Sequence, residues 1–231
     1  MSKHWERDLL NLQRDILTLA AAVEGAVHLG VRALRERDLE LARRVVAGDA
    51  AIDQDENRAE DECLKMLALH QPVAGDLRRI IAALKINTDL ERMADLAVNI
   101  AERVLLLAGA PRPDVAEPLQ RMADLTTVMV RRSLDAFVNL DAPLARQVIR
   151  LDDEADRYNR EIIDDLVRFM RGSGDLVVSG LALFSVVRQL ERIADHATNI
   201  AEDVIYLIEG EIVRHQPAAA VPPDAPPRPP G

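Results

Sequence analysis

The chain has 231 residues, a formal net charge of −10, 3% aromatic residues and one cysteine, Cys63. The negative charge argues against a nucleic-acid-binding surface, which needs a basic face, and the single cysteine excludes an intrachain disulfide and fits a reducing compartment. Because residues 1–14 hold no apolar run typical of a signal peptide and longer apolar runs, such as residues 104–108, are too short to span a bilayer, we expect a soluble cytoplasmic protein.

Three helices are predicted in the first half of the chain. Apolar residues recur at helical spacing from about residue 4 to residue 35. Asp38 is a good N-cap for a second helix that reaches about residue 70. After a short break, Asp76 can cap a third helix that ends near Gly109.

Three further helices are predicted after a proline-rich connection. A fourth helix runs from about residue 115 to residue 139, and Asp141 caps a fifth helix that reaches Arg171. Asp175 then opens a sixth helix that ends at about Glu209. The prolines that mark the connection before the fourth helix are Pro111, Pro113 and Pro118.

The third and sixth helices contain an internal repeat. Residues 90–104 recur as residues 190–204 with eleven of fifteen positions identical, and residues 38–45 match residues 141–148 more loosely. In both long copies the apolar residues alternate at spacings of three and four, which is typical of the buried seam of a bundle helix. The seam residues are Ala83, Ile86, Leu90, Met93, Ala97, Ile100, Val104 and Leu107, and Leu183, Val186, Leu190, Ile193, Ala197, Ile200, Val204 and Leu207.

The repeat predicts an all-α protein made of two tandem three-helix bundles with six long helices. We expect the first bundle at residues 1–109, a linker at residues 110–117 and the second bundle at residues 118–210. Residues 211–231 are rich in proline and alanine, a composition typical of a disordered or extended tail.

Acidic residues are predicted to meet within each helical hairpin. Two helices joined by a short turn pack antiparallel, so a turn near Pro72 places Asp53 level with Glu91, and Asp49 level with Asp95. The turn of the second half, near Ser173, gives the pairs Asp156 with Glu191 and Asp152 with Asp195. Two turns of different length therefore predict the same arrangement.

Four carboxylates at one level repel one another unless a cation, a proton or an arginine neutralises them. Compensation by arginine is one interpretation, because Arg92, Arg188 and Arg192 each lie three residues before a carboxylate. The other is an oxygen-only cation site, which suits Mg²⁺, Mn²⁺, Ca²⁺ or iron rather than structural zinc. Its predicted ligands are Asp49, Asp53, Glu91, Asp95, Asp152, Asp156, Glu191 and Asp195.

No catalytic arrangement is evident in the sequence. The spacings suggest no Ser–His–Asp or Cys–His group, and Cys63 lies on an apolar helical stripe and is expected in the core. The histidines have no partner at metal-ligand spacing; they are His4, His28, His70, His196 and His215. We therefore do not expect an enzyme.

The repeated Glu-Arg-x-Ala-Asp-x-Ala-x-Asn-Ile stretches resemble the signature of the PhoU family, the phosphate-uptake regulators of bacteria. Residues 71–78 are similar to the hairpin motif of that family, and the resemblance covers about residues 1–209. Ala94 and Ala194 stand where the family usually has glycine. The resemblance implies two pseudo-symmetric three-helix bundles. It also implies multinuclear metal clusters, held in some members by Glu/Asp-x-x-x-Asp pairs that map onto the eight carboxylates named above.

The same resemblance implies regulation rather than catalysis. A family member is expected to repress phosphate uptake and the phosphate-starvation response, and to connect the ATPase of a phosphate ABC transporter with a sensor histidine kinase. The bound metal would be Fe, Mn or Mg, the protein would reach the membrane only through its partners, and a homodimer is compatible with the long helices. Two alternatives are a carboxylate-bridged di-metal oxidase, although such enzymes use Glu-x-x-His pairs that this chain lacks, and a metal-free helical scaffold.

Overall fold

The computed structural model describes residues 3–109 and 116–210, and those residues form six long helices and no strand. The first half contains α1 (Lys3–Glu36), α2 (Leu39–His70) and α3 (Ala74–Leu106). The second half contains α4 (Ala116–Asn139), α5 (Ala142–Met170) and α6 (Val177–Glu209). Helices α1, α2 and α3 pack on one another, as do α4, α5 and α6, which confirms the predicted pair of three-helix bundles.

Part of the predicted domain division falls outside the described residues. This holds for residues 110–115 of the expected linker and for the whole expected tail, residues 211–231. The last two residues of the expected linker, 116 and 117, belong to α4.

The seam predicted from the repeat forms the core of both bundles. All of its residues are buried except Leu207, which is partly exposed. The apolar stripe of α1 is buried beside it, with Leu12, Ile16 and Leu19 almost fully covered. Burial of a Leu or Ile side chain contributes about 1.5–3 kcal/mol, so this continuous seam supplies much of the stability.

By length and composition alone, α1 could cross a membrane. The short apolar runs of the sequence did not indicate this. The helix packs against α2, α3 and α4. Its apolar face therefore already has a protein partner, as in the core helix of a bundle.

Two of the three predicted helix caps are confirmed. The carboxylate of Asp38 accepts hydrogen bonds from the backbone N–H groups of Glu40 and Leu41, at 2.9 and 3.0 Å. The carboxylate of Asp141 accepts one from Leu144 at 2.9 Å. The residues that precede these caps, Arg37 and Leu140, have φ values of 54° and 50°, so the repeat extends to the connecting turns.

The predicted cap of the third helix is wrong, and the sixth helix begins slightly later than expected. Val73 precedes α3 in an extended conformation and makes no side-chain capping bond, so Asp76 lies inside the first turn. In that position its negative charge still interacts favourably with the positive end of the helix dipole. Ser173 caps a short 3₁₀ turn, Gly174–Leu176, by accepting a hydrogen bond from the backbone N–H of Asp175, and α6 begins after that turn.

The two bundles are joined along α3 and α6, which pack against each other. The ammonium of Lys85 lies 3.0 Å from the carboxylate of Asp203, and Nε of Arg103 lies 3.3 Å from the hydroxyl of Ser185. The early part of each helix thus faces the late part of the other, and the two helices run antiparallel. The bundles also meet where α1 packs against α4, and Arg35 of α1 forms an ion pair with Asp124 of α4.

Candidate metal centres

The first candidate site lies between α2 and α3. The pKa of the Asp49 carboxyl is raised above its usual value, mainly by burial and to a smaller extent by the charges of Asp53 and Asp95. Burial, followed by the charge of Asp95, also raises the pKa of Glu91, with a further contribution from Asp53 and an opposing one from Arg92. Asp49 and Glu91 are thus both partly buried, and the pKa of each is raised by the charges of Asp53 and Asp95.

The second candidate site repeats this arrangement between α5 and α6. Burial, followed by the charges of Asp195 and Asp156, raises the pKa of Asp152 to about 6. Burial, followed by the charges of Asp195 and Asp156, raises the pKa of Glu191 as well. Each half of the molecule thus holds a partly desolvated group of acidic side chains that repel one another.

Arginines neutralise some of these carboxylates, as the first interpretation of the sequence requires. Nη1 of Arg188 lies 3.0 Å from Glu191, and Nε of Arg92 lies 3.3 Å from Glu91. The compensation is incomplete, because Oδ1 of Asp49 and Oε2 of Glu191 are buried without a hydrogen-bond partner within residues 3–109 and 116–210. A buried, unpaired carboxylate oxygen is costly.

These residues suit a hard divalent cation. The groups in each half are carboxylates on opposing helices, and such oxygens are the ligands that Mg²⁺, Mn²⁺ and Ca²⁺ prefer. With the side chains as placed, no three Asp, Glu, His or Cys groups of the described residues converge closely enough to enclose an ion. The orphaned oxygens of Asp49 and Glu191 are nevertheless acceptors that a cation would satisfy. Metal binding at the eight carboxylates stays a prediction.

Two histidines make polar contacts that no pattern in the sequence indicated. Nδ1 of His196 lies 2.8 Å from the carboxylate of Asp89, across the contact between the two bundles, and Asn199 donates to the same oxygen at 3.2 Å. Nε2 of His70 lies 3.0 Å from the carboxylate of Asp8. No spacing along the chain could have shown these pairs, because each joins helices that are distant in sequence.

Two other candidate features offer no better site. Cys63 is buried as expected, and burial raises the pKa of its thiol to about 12, so it is unreactive near neutral pH. An open depression of about 260 Å³ between α4 and α5 is lined by Arg121, Arg157 and Tyr158 among others. Both of these arginines already pair with glutamates. Arg121 lies 2.5 Å from the carboxylate of Glu117, and Arg157 pairs with Glu154.

Replacing Asp152 by asparagine should stabilise the metal-free protein at neutral pH and weaken the pH dependence of its stability. The folded-state pKa of about 6 lies above the ordinary value of 3.8, so the folded protein holds this proton more tightly than the unfolded chain. The ionised carboxyl therefore lowers stability above about pH 6, and this cost disappears below about pH 4. Because the group is partly solvated, we expect a gain of about 1 kcal/mol at pH 7.5.

The measurement is urea unfolding in chelator at pH 4.5 and pH 7.5, for the wild type and for Asp152→Asn. Asp165→Asn, on the same helix, is the control, because its carboxylate is paired with Arg168. A variant that loses stability at pH 7.5 would contradict the desolvation of Asp152.

Comparison with known proteins identifies the family. A family model described as the PhoU domain matches the chain twice, at residues 16–104 and 119–204, once in each bundle. The phosphate-specific transport system accessory protein PhoU homolog of Aquifex aeolicus is 40% identical over 210 residues, covering 91% of this chain and 95% of that protein. The homolog of Pseudomonas putida is 38% identical over 218 residues, covering 93% and 84%.

Solved structures agree with the sequence comparisons. The crystal structure of PhoU from Pseudomonas aeruginosa superposes with a TM-score of 0.87 at 36% identity, covering 90% of this chain and 100% of that chain. The phosphate transport system regulatory protein PhoU from Streptococcus pneumoniae gives a TM-score of 0.83 at 30% identity, covering 90% and 99%. With one PhoU domain matched in each three-helix bundle, the chain belongs to the PhoU family of phosphate-transport accessory proteins.

Proposed function

We propose that this protein is a non-enzymatic cytoplasmic regulator that represses phosphate uptake and the phosphate-starvation response when phosphate is plentiful. The observation that carries the proposal is the match of both bundles to the PhoU domain, together with relatives that are named phosphate-transport accessory proteins. Its partners would be the ATPase of a phosphate ABC transporter and a sensor histidine kinase.

The arrangement of the helices supports a role as an adaptor. The two bundles are held side by side by α3 and α6, with partly buried contacts such as Lys85 with Asp203. Such a pair of rigid bundles presents long outer helix surfaces that two partner proteins could contact at once. A homodimer would double those surfaces.

A cation is part of the proposal. Fe, Mn or Mg at the eight carboxylates would neutralise the repulsion within each cluster, which no described arginine removes completely. The carboxylates of α2 and α3 would hold the first-half ion, and those of α5 and α6 the second-half ion. Bound ions would therefore fix the helix hairpins that carry the outer surfaces.

The function is tested in a strain that lacks the gene, grown in high phosphate. Phosphate uptake and alkaline phosphatase activity should both rise severalfold, because repression is lost, and a plasmid copy of the gene should restore them. Unchanged activities would contradict the regulatory role. Affinity capture of the tagged protein should recover the transporter ATPase and the kinase, with a tagged unrelated helical bundle as the control.

A further inference from the structure

The first three turns of α6 are apolar on every side. Residues 176–187 contain no charged side chain, and α6 begins within that stretch at Val177. One side of these turns, which includes Ser179, Gly180 and Leu183, is buried in the second bundle. A helix that is apolar all round is normally covered all round, in the core of a larger assembly or in a membrane. The opposite side of these turns is nevertheless exposed.

The exposed side of these turns and the end of α3 form one apolar surface. Nε of Arg103 on α3 lies 3.3 Å from the hydroxyl of Ser185 on α6. Because the two helices are antiparallel, residues one turn after Arg103 lie beside residues one and two turns before Ser185. We refer to this surface as the end patch, and its members, each between 37% and 78% exposed, are Leu106, Val177, Val178, Leu181 and Phe184. A group of large exposed apolar residues marks an interaction site.

The internal repeat shows that the fold does not require an apolar surface at this place. At the opposite end of the contact between α3 and α6, Arg78 stands at the position of Val178, and Tyr206 at the position of Leu106. The guanidinium of Arg78 and the ammonium of Lys85 lie over the Tyr206 ring, 5.6 and 5.3 Å from its centre. Cations stacked on an aromatic ring therefore cover that end, while the end patch stays uncovered.

The charge beside the end patch also lacks the partner that its counterpart has. The repeat places Asp203 at the position of Arg103, and Asp203 pairs with Lys85 at 3.0 Å. Arg103 contacts the hydroxyl of Ser185, and within residues 3–109 and 116–210 no carboxylate lies at ion-pair distance from it. A guanidinium at the edge of an apolar surface favours a partner that brings a carboxylate to it.

We propose that the end patch docks an amphipathic helix of one protein partner, and that a carboxylate on that helix pairs with Arg103. The proposal rests on the adaptor role put forward above and assigns a surface to it. The apolar ends of two adjoining helices suit the apolar face of a third helix. Because the patch occurs in one half of the molecule only, it serves one of the two partners, and the other partner binds elsewhere.

Two other occupants fit the end patch less well. The net charge of −10 disfavours an anionic lipid surface. A second copy of the chain, related by a twofold axis, would place the patch against itself. Two Arg103 guanidinium groups would then approach each other without a carboxylate from the patch between them. A separate protein that carries the missing charge avoids both conflicts.

The experiment measures binding of the full chain to two purified probes, the transporter ATPase and the cytoplasmic part of the kinase, by isothermal titration calorimetry. Val178→Ser combined with Leu181→Ser should raise the Kd for one probe at least about tenfold and leave the Kd for the other unchanged. Arg103→Glu should weaken binding of the same probe by about tenfold or more. Arg103→Lys, which keeps the charge, should retain most of the affinity.

Leu69→Ser combined with Val73→Ser is the matched control. These two apolar residues are 77% and 75% exposed, at the turn between α2 and α3 and outside the end patch. The control should bind both probes as the wild type does. Thermal melting of each variant shows that it is folded.

The outcomes separate this inference from the function on which it rests. If the wild type binds neither probe, the adaptor role is contradicted and the assigned surface with it. If the wild type binds but the end-patch variant binds as tightly as the control, the surface is overturned while the adaptor role stands. Equal losses for both probes would contradict the restriction to one partner. If the end-patch variant instead loses self-association in sedimentation, or binding to phosphatidylglycerol vesicles, a second copy or a lipid occupies the patch and the proposal is wrong.

Discussion

Replacing Glu209 by alanine should lower the free energy of unfolding by about 3 kcal/mol. Glu209 ends α6, and its carboxylate lies 2.6 Å from Nη2 of Arg146 on α5. The Arg146 side chain is only 7% exposed, and its Nε already lacks a hydrogen-bond partner among the described residues. Removing one member of a buried ion pair leaves the other charge without compensation, and this costs more than the pair itself contributes.

Thermal unfolding checks this prediction. A loss of about 3 kcal/mol corresponds to a fall of about 6–12 °C in Tm for a chain of this size. Glu154→Ala is the control, because Glu154 pairs with Arg157 on the same helix α5, where the two side chains are 43% and 63% exposed. An exposed pair of this kind contributes little, so equal shifts for the two variants would contradict the special role of burial.

Removing Glu191 and Asp195 together should abolish the cation site of the second half and leave the first unchanged. In chelator, the double alanine variant should be no less stable than the wild type, because repulsion with Asp152 and Asp156 is relieved. A cation present at a free concentration of about 100 times its Kd stabilises the folded state by about 2.7 kcal/mol for each site. The wild type should therefore gain Tm with Mn²⁺ or Fe²⁺, and the variant should gain roughly half as much.

The measurement is the Tm of both proteins in chelator and in excess metal. Asp164→Ala combined with Glu161→Ala is a matched control, since it removes two acidic charges from α5 away from the predicted ligands. If the wild type shows no metal-dependent shift, or if the Glu191 and Asp195 variant is destabilised in chelator, the carboxylates are a solvated acidic face.

Much of each hairpin could be predicted from the sequence because its contacts are nearly local. A short turn fixes the register of two antiparallel helices, so Asp49 is placed near Asp95, and Asp152 near Asp195, by counting from the turn alone. The caps at Asp38 and Asp141 are local for the same reason. The expectation for Asp76 was wrong because a helix can begin without a side-chain cap when its first turn is exposed to water.

By itself the sequence determined the six helices, their apolar seams, the internal repeat and the facing of acidic residues within each bundle, because these follow from helical periodicity and short turns. Only the tertiary structure decided how the bundles meet, since the antiparallel contact of α3 with α6 joins residues more than a hundred positions apart, such as Asp89 and His196. It also decided which polar groups are desolvated. The burial of Arg146 and the hydrogen bond that the amide of Asn87 donates to the Glu56 carboxylate depend on how neighbouring helices are rotated, and no spacing along one chain segment fixes that rotation.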